Sequence, residues 1–226
     1  MTHSTAEHRS TCLLMFTKQA HPGQVKTRLI GELTAVQAAQ LHAAFLEDLT
    51  ERLSQGRFEL RLAWALELGE PLPESSNVGL RQVGADLGER LFAGLEQIAG
   101  TFSSVAAIGS DHPEIPLSLV HQAFDKLASG TDVVLGPADD GGYYLIGLDR
   151  RVLTPEIFRN IPWSSSGVLE ATLERCRELD LDVELLPVGY DVDTPSDLVR
   201  LSTSLEMNPD LECPRTREVL RAWGRL

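Results

Sequence analysis

The stretch at residues 105–113, Val-Ala-Ala-Ile-Gly-Ser-Asp-His-Pro, constrains the fold of this chain more than any other. Its first four residues are apolar without alternation, which is typical of a strand covered on both faces, as in a parallel sheet. The strand must end near Asp111, because Pro113 cannot continue the ladder. Ligands of open α/β sheets collect at the carboxyl ends of strands. Asp111 can therefore hold a divalent cation that binds phosphates, or it can simply cap the next helix.

Length and composition favour a single α/β domain. The chain has 226 residues, of which 42% are hydrophobic, so a full core can be buried. We expect one domain over 1–226, with a core over about 11–203 and a C-terminal tail over 204–226. The N-terminal segment lacks the apolar centre of a secretory signal, and no run approaches the ~18 apolar residues that span a bilayer.

The cysteines indicate a reducing compartment. Cys12, Cys176 and Cys213 are odd in number and show no Cys-x-x-Cys spacing. This usage favours free thiols over disulfides or a zinc site, and so predicts a cytoplasmic protein.

The charge excludes one group of partners. A net charge of −13 argues against non-specific binding to nucleic acid or to an anionic membrane. The first 30 residues nevertheless carry Arg9, Lys18, Lys26 and Arg28 against a single acid, a balance of 4 − 1 = +3. These cations are either a patch for an anionic small molecule or an ordinary solvated surface.

Three of these cations surround a turn after the first predicted strand. Residues 11–17 are typical of a buried strand, and Pro22-Gly23 marks the turn. A glycine-containing loop with basic side chains and free backbone N–H groups can cradle phosphates. The loop is neither a Walker loop nor a Gly-x-Gly-x-x-Gly motif, so those two nucleotide folds are unsupported.

Two glycine-containing segments offer further candidates. At residues 84–90, Asp86 can cap a helix while Gly84 and Gly88 let a ligand approach the backbone. At residues 136–147, Asp-Gly-Gly between two apolar runs indicates a tight turn. Asp140 there can bind a hydroxyl group or act as a base, Gly141 and Gly142 can admit a substrate, and Tyr143 can stack. Trp163, further along, suits either the wall of a site or the core.

A second acidic pair follows the last predicted strand. Asp191 and Asp193 are two positions apart on extended chain, so their side chains point to the same side. They can complete a metal shell begun by Asp111, or they can serve capping and solvation. Thr194 with Asp197 is typical of a capping box.

Taken together and in order, these motifs resemble a known family. They are Phe-Thr-Lys followed by Pro-Gly-Gln-Val-Lys-Thr-Arg-Leu at 16–29, Gly-Ala-Asp-Leu-Gly-Glu-Arg at 84–90, Gly-Ser-Asp-His-Pro at 109–113, Gly-Pro-Ala-Asp-Asp-Gly-Gly-Tyr-Tyr-Leu-Ile-Gly at 136–147 and Asp-Val-Asp-Thr-Pro at 191–195. The chain resembles the bacterial glycosyltransferase-like family associated with arsenosugar biosynthesis, within the GT-A (nucleotide-diphospho-sugar transferase) superfamily. A more distant sibling is the archaeal 2-phospho-lactate guanylyltransferase. The resemblance covers residues 13–201 and implies a three-layer α/β/α sandwich around a mixed, mostly parallel sheet.

The resemblance also implies roles for individual residues. Lys18, Lys26 and Arg28 would contact nucleotide phosphates. Asp111 would bind the metal, with Asp191 or Asp193 as a second ligand. The nucleotide and acceptor would be lined by a larger set: Gly84, Asp86, Asp140, Gly141, Gly142 and Tyr143. The full set of predicted binding residues adds Gly23, Gly88, Ser110 and Trp163. The chain departs from the family at His112 and Ala20, and neither departure removes a proposed ligand.

We therefore expect a metal-dependent transferase that uses a nucleotide sugar and a small-molecule acceptor. Mg²⁺ or Mn²⁺ on Asp111 would stabilise the departing diphosphate together with Lys26 and Arg28, and Asp140 would orient or deprotonate the acceptor. A nucleotidyltransferase that uses a nucleoside triphosphate and releases pyrophosphate needs the same parts. A nucleotide-binding module without turnover is the third interpretation. A homodimer is left open.

Overall fold

The fold is that of a computed structural model, which describes residues 10–74 and 77–226. The N-terminal segment and Arg9, which entered the expectations about a signal and a basic patch, lie outside the described residues. Part of the polar loop expected over residues 69–77 lies outside them as well.

The described residues form seven strands and six α-helices. The strands are β1 (Thr11–Lys18), β2 (Glu59–Ala65), β3 (Val78–Arg81), β4 (Ser104–Gly109), β5 (Val133–Pro137), β6 (Tyr143–Asp149) and β7 (Val183–Leu185). The helices are α1 (Ala35–Leu53), α2 (Leu87–Ala99), α3 (Leu117–Ala128), α4 (Val168–Glu178), α5 (Pro195–Met207) and α6 (Pro214–Ala222). Two short 3₁₀ helices, Thr27–Leu29 and Pro155–Phe158, lie in connections.

The strands form one sheet in the order β3-β2-β1-β4-β6-β5-β7. All neighbouring pairs are parallel except the two that involve β6, which runs antiparallel to β4 and to β5. The carboxyl ends of β1 and β4 and the beginning of β6 therefore meet at one edge. This edge carries the candidate site.

Strand residues alternate between two helical layers. Leu13 and Met15 pack on one face with α1 and α3, whereas Cys12 and Leu14 pack on the other with α2 and α4. All four side chains are fully buried. Each of the larger ones would cost about 2–5 kcal/mol to truncate if it behaves like other large core side chains. The expected three-layer α/β/α sandwich with a mixed, mostly parallel sheet is confirmed.

Helix starts follow the capping signals. Thr34 and Gln37 form a capping box at α1, and Thr194 and Asp197 form one at α5. Asp86 accepts a hydrogen bond from the Glu89 backbone N–H at α2. Each cap satisfies backbone donors that the first turn leaves free.

The segment expected as a peripheral tail contributes to the core. Cys213 and Leu220 are fully buried with α1 and α5 in a third hydrophobic cluster. Asp48 on α1 accepts hydrogen bonds from the backbone N–H groups of Arg215 and Thr216 and from the Thr216 hydroxyl. The carboxylate of one helix thus caps another, a pairing between distant parts of the chain that no local pattern announces.

Within the described ranges, no helix is long and apolar enough to cross a membrane.

Candidate functional site

A cavity of about 490 Å³ opens at the edge of the sheet where β1, β4 and β6 meet. Six of the sequence-predicted charged site residues line it: Lys18, Lys26, Arg28, Asp111, Asp191 and Asp193. Lys18 ends β1, and Asp111 lies two residues beyond β4. The loop before α5 reaches them because the Val192 N–H donates to the Asp111 carbonyl at 2.9 Å. Sheet topology therefore brings three distant motifs to one place.

Lys26 lies at the centre of the acidic residues. Its Nζ is 2.5 Å from Asp111 Oδ1 and 3.2 Å from Asp193 Oδ1, and it donates to the Val192 carbonyl at 2.8 Å. The side chain is buried, and its backbone has a left-handed φ of 47°. Arg28 is different, since it is largely exposed and 3.8 Å from Asp193. The two cations predicted to act alike therefore have different surroundings.

The ionisation of this cluster reflects burial and close charges. Burial alone would lower the pKa of Lys26, but Asp111 and Asp193 hold it above its usual value. Burial would raise the pKa of Asp111, but the Lys26 ammonium holds it below its usual range. Burial, together with the charges of Asp111 and Asp193, raises the pKa of Asp191 to about 7. The site thus contains more negative charge than Lys26 alone balances.

This excess of carboxylate suits a divalent cation that arrives with a phosphate ligand. Mg²⁺ in phosphate-handling sites is commonly held by one or two carboxylates, with water and substrate oxygens completing its shell. Asp111 and Asp191 can supply such a pair, with Asp193 beside them. In the part of the chain that the structure describes, no group of three or more His, Cys, Asp or Glu side chains is arranged to hold a metal ion.

A second cavity of about 570 Å³ adjoins the first. Four residues line both: Lys18, Gln24, Gln82 and Arg90. The remaining lining of the second cavity is mostly polar, including Gln19, His21, Glu67 and Glu70, and the predicted Gly84 belongs to it. The two cavities together offer a charged centre and a polar extension.

Ser110 and His42 belong to the framework beneath the cations. The Ser110 hydroxyl is buried and donates to Thr17 Oγ1 at 3.0 Å. His42 Nε2 lies 3.1 Å from the Lys18 carbonyl and 3.5 Å from Thr17 Oγ1, and burial lowers the pKa of this imidazole. His42 lines the cavity, although no sequence pattern singled it out. It stands within the apolar stripe of α1, where a histidine has the signature of a core residue.

The Asp140 turn lies beside the cavity and does not line it. Asp140 Oδ1 accepts a hydrogen bond from the Gly142 N–H at 2.8 Å, so the carboxylate closes its own turn. Gly141 has a φ of 90°, and a Cβ there would lie 2.2 Å from the Ser166 carbonyl oxygen. Tyr143, the next predicted residue, does line the cavity. The charge of Asp140 still reaches Asp191, whose pKa it helps to raise.

Four other predicted binding residues serve the packing and the turns of the fold. A Cβ on Gly88 would lie 2.7 Å from the Trp163 ring, so this glycine allows the tryptophan to pack against α2. Asp86 caps α2, and Gly23 occupies a turn with a φ of 81°. Gly88, Trp163, Asp86 and Gly23 are outside the lining of both cavities.

The chain is similar to several solved structures over most of its length. A "putative nucleotide-diphospho-sugar transferase" from Desulfovibrio desulfuricans G20 is 32% identical, with 94% of each chain covered and a TM-score of 0.86. A cytidylyltransferase from Leptospira borgpetersenii serovar Hardjo-bovis is 12% identical, with 94% of each chain covered and a TM-score of 0.59. A CMP:2-keto-3-deoxy-manno-octonic acid synthetase complexed with CTP is 13% identical and has a TM-score of 0.57, covering 88% of this chain and 99% of that one. The last two show a shared fold.

The fold and these similarities define a member of the nucleotide-diphospho-sugar transferase superfamily. The family described as "Uncharacterized protein conserved in bacteria (DUF2064)" matches residues 61–165. The chain belongs to the same family as the Desulfovibrio protein, with which it shares nearly its whole length. No curated protein matches the chain. The expectation of a protein of the transferase class is confirmed by this family membership.

Proposed function

We propose that the protein is a transferase that binds a nucleotide sugar at the cavity beside Asp111 and transfers the sugar to a small-molecule acceptor. The observation that carries this proposal is the placement of Lys18, Arg28 and the Lys26–Asp111 pair around one opening at the sheet edge. The chain belongs to the same family as the Desulfovibrio protein described as a "putative nucleotide-diphospho-sugar transferase". This relationship supports the choice of a nucleotide sugar as the donor.

The cations suit a leaving group that gains negative charge. Lys18 has no carboxylate partner among residues 10–74 and 77–226, and Arg28 is exposed at the rim. Both can contact a diphosphate, and cations fixed where charge develops lower the barrier to its departure. Lys26 has another task in the free protein, because its ammonium group contacts Asp111 and Asp193 and holds the two carboxylates close together.

A divalent cation, Mg²⁺ or Mn²⁺, would be held by Asp111 with Asp191 or Asp193. When bound, it supplies Lewis-acid stabilisation of the phosphate oxygens. These carboxylates would orient the ion, and their excess of negative charge would favour its entry together with the nucleotide.

Nucleotidyl transfer is the second candidate, favoured by the position of Asp140. This carboxylate closes its own turn outside the cavity lining, so it is poorly placed as the base that a hydroxyl acceptor needs. An acceptor phosphate is already ionised and needs no base. The arsenosugar association is compatible with sugar transfer, and the kinship with 2-phospho-lactate guanylyltransferase is compatible with nucleotidyl transfer. Both associations stay predictions.

Product analysis separates the candidates. The protein is incubated with nucleotide sugars and nucleoside triphosphates, with Mg²⁺ or Mn²⁺ and a small-molecule cell extract as the source of acceptor, and products are resolved by anion exchange. Free nucleoside diphosphate indicates sugar transfer, and pyrophosphate indicates nucleotidyl transfer. Binding of a nucleotide with neither product would contradict both and support a binding module without turnover. Asp111→Asn is the control for a contaminating activity.

A further inference from the structure

The cavity beside Asp111 is lined by apolar as well as charged residues, and we call its apolar part on the α2 side of the sheet the apolar slot. Six residues define this slot: Phe16, Leu87, Leu91, Ala107, Gly109 and Tyr143, all of which line the cavity. Leu91 and Ala107 are buried within the core cluster on the α2 side of the sheet, whereas Leu87 is 45% exposed at the mouth. The slot therefore joins the hydrophobic interior to the site of the charged groups.

Gly109 creates the space in this slot. It pairs in register with Phe16 on β1, and it lies two positions after Ala107 on β4, so a side chain there would point to the α2 face. A Cβ on Gly109 would meet only the Asp111 backbone nitrogen, at 3.9 Å. The glycine is exposed although it ends a buried strand. No steric need in the protein requires a glycine at this position.

Two aromatic rings wall the slot, and each is positioned by a specific feature. Phe16 leans on α2 where Gly94 leaves room, since a Cβ there would lie 3.2 Å from the ring. On β6, the pairing with β5 steps from Leu145 opposite Gly136 to Tyr143 opposite Pro137, which leaves Tyr144 as the extra residue of a bulge. The bulge directs Tyr143 to the α2 face and Tyr144 to the other face.

We propose that the apolar slot binds the non-reacting end of the acceptor, and that this end is an apolar group such as an alkyl chain or a phenyl ring. This inference rests on the proposed function. The charged rim beside Asp111 would take the phosphates and the reacting atom, and the polar second cavity supplies amide and carboxylate partners for the edge of a nucleobase. The slot offers walls of carbon and excludes a densely hydroxylated group, because its hydroxyls would lose their hydrogen bonds to water.

Titration calorimetry with small phosphates tests the slot. Phenyl phosphate and n-hexyl phosphate are compared with inorganic phosphate and glycerol 3-phosphate, on wild type and on Gly109→Val. We expect the wild type to bind the apolar esters about tenfold or more tightly than the polar pair, since several carbons leave water. Gly109→Val fills the slot, so it should abolish this preference and keep the affinity for inorganic phosphate.

A matched control uses another glycine with an open environment. Gly100, at the end of α2, has a φ of −61°, and a Cβ added there would have no neighbour within 4 Å, so Gly100→Val makes the same change away from the slot. It should leave all four affinities unchanged. Melting temperatures of both variants close to that of wild type would show that the fold is intact.

The outcomes distinguish the slot from the proposed function. Equal affinity for polar and apolar esters in wild type, or a preference that survives Gly109→Val, would overturn the slot. Loss of binding of UMP, CMP, GMP and AMP in Gly109→Val would also overturn it, because the slot would then hold part of the nucleotide. If the apolar esters bind as expected and no nucleotide binds to wild type, the proposed function fails and the slot stands.

Discussion

Lys26 Nζ lies 2.5 Å from Asp111 Oδ1, although the two residues come from different loops that are far apart in the chain. The contact joins the turn after β1 to the loop after β4, and a second contact with Asp193 adds the loop before α5. In the free protein, the lysine therefore assembles the acidic site.

Lys26→Met should loosen this assembly. Removing one partner of a buried ion pair typically costs about 3–5 kcal/mol. Because Asp111 and Asp193 are half-exposed, we expect a smaller loss, about 1–3 kcal/mol of the free energy of unfolding at pH 7. Denaturant unfolding in metal-free buffer measures it. Arg57→Met, which removes an exposed pair with Asp125, should change stability by no more than about 0.5 kcal/mol.

The same pair predicts a direction for the acid dependence. Lys26 holds the pKa of Asp111 below its ordinary value of 3.8 in the folded state. Its contribution is therefore complete above that value and disappears as the pH falls through the lower, folded pKa. The stability difference between wild type and Lys26→Met should shrink in strong acid. A difference that grows there would contradict this assignment.

Gly141→Ala should destabilise the protein far more than Gly142→Ala. Alanine at position 141 would adopt a left-handed φ and place its Cβ 2.2 Å from the Ser166 carbonyl oxygen. Strain and overlap together cost about 2–5 kcal/mol. At position 142 the nearest atom is the Asp140 carboxylate oxygen at 3.2 Å, which can shift. Thermal unfolding of the two variants compares them, and equal losses would show that the turn relaxes more freely than its geometry indicates.

Asp48→Ala should release α6 from α1. Three donors of Arg215 and Thr216 would lose their acceptor in a buried place, at a cost of about 3 kcal/mol. Glu47→Ala changes the neighbouring, exposed carboxylate, which contacts Arg215 at 3.5 Å, and should cost under about 1 kcal/mol. Chemical denaturation measures both, and similar values would show that the buried cap contributes little.

All three cysteine thiols should be unreactive in the folded protein. Burial raises the pKa of Cys12 to about 12 and that of Cys176 to about 11, and burial also raises the pKa of Cys213. At about pH 8 a reagent therefore cannot reach these sulfur atoms, and the thiols stay protonated and unreactive. Titration with 5,5′-dithiobis(2-nitrobenzoate) should show three thiols in denaturant and almost none without it. Rapid reaction of a thiol in the native protein would contradict its burial.

Sequence patterns predicted what depends on neighbours along the chain. The strand before Asp111 and the caps at Asp86 and Thr194 follow from short-range patterns, whereas the sandwich was implied by the resemblance to a known family. Such patterns were less informative where a side chain meets a distant partner. Lys26 has the pattern of a phosphate ligand, yet its contact with Asp193 spans 167 positions.

Two glycines and a histidine also show that sequence patterns do not reveal contacts with distant parts of the chain. Gly88 suits a ligand contact by sequence, but the Trp163 ring packs where its Cβ would be. His42 has the spacing of a core residue, and only the meeting of α1 with the end of β1 brings it to the cavity. Gly109 drew attention only as the end of a strand, because the open space above it depends on α2 and β6.

Thermal unfolding of wild type and Asp111→Asn, with nucleotide sugars and nucleoside triphosphates and with or without Mg²⁺ or Mn²⁺, tests the central claim most directly. A nucleotide at about 100 times its Kd stabilises the folded state by about 2.7 kcal/mol, which raises the Tm of a chain of this size by about 5–10 °C. We predict a metal-dependent rise with at least one nucleotide in wild type and its loss in Asp111→Asn. No rise with any nucleotide, or an equal rise in both proteins with metal and with chelator, would contradict a metal-assisted nucleotide site at Asp111.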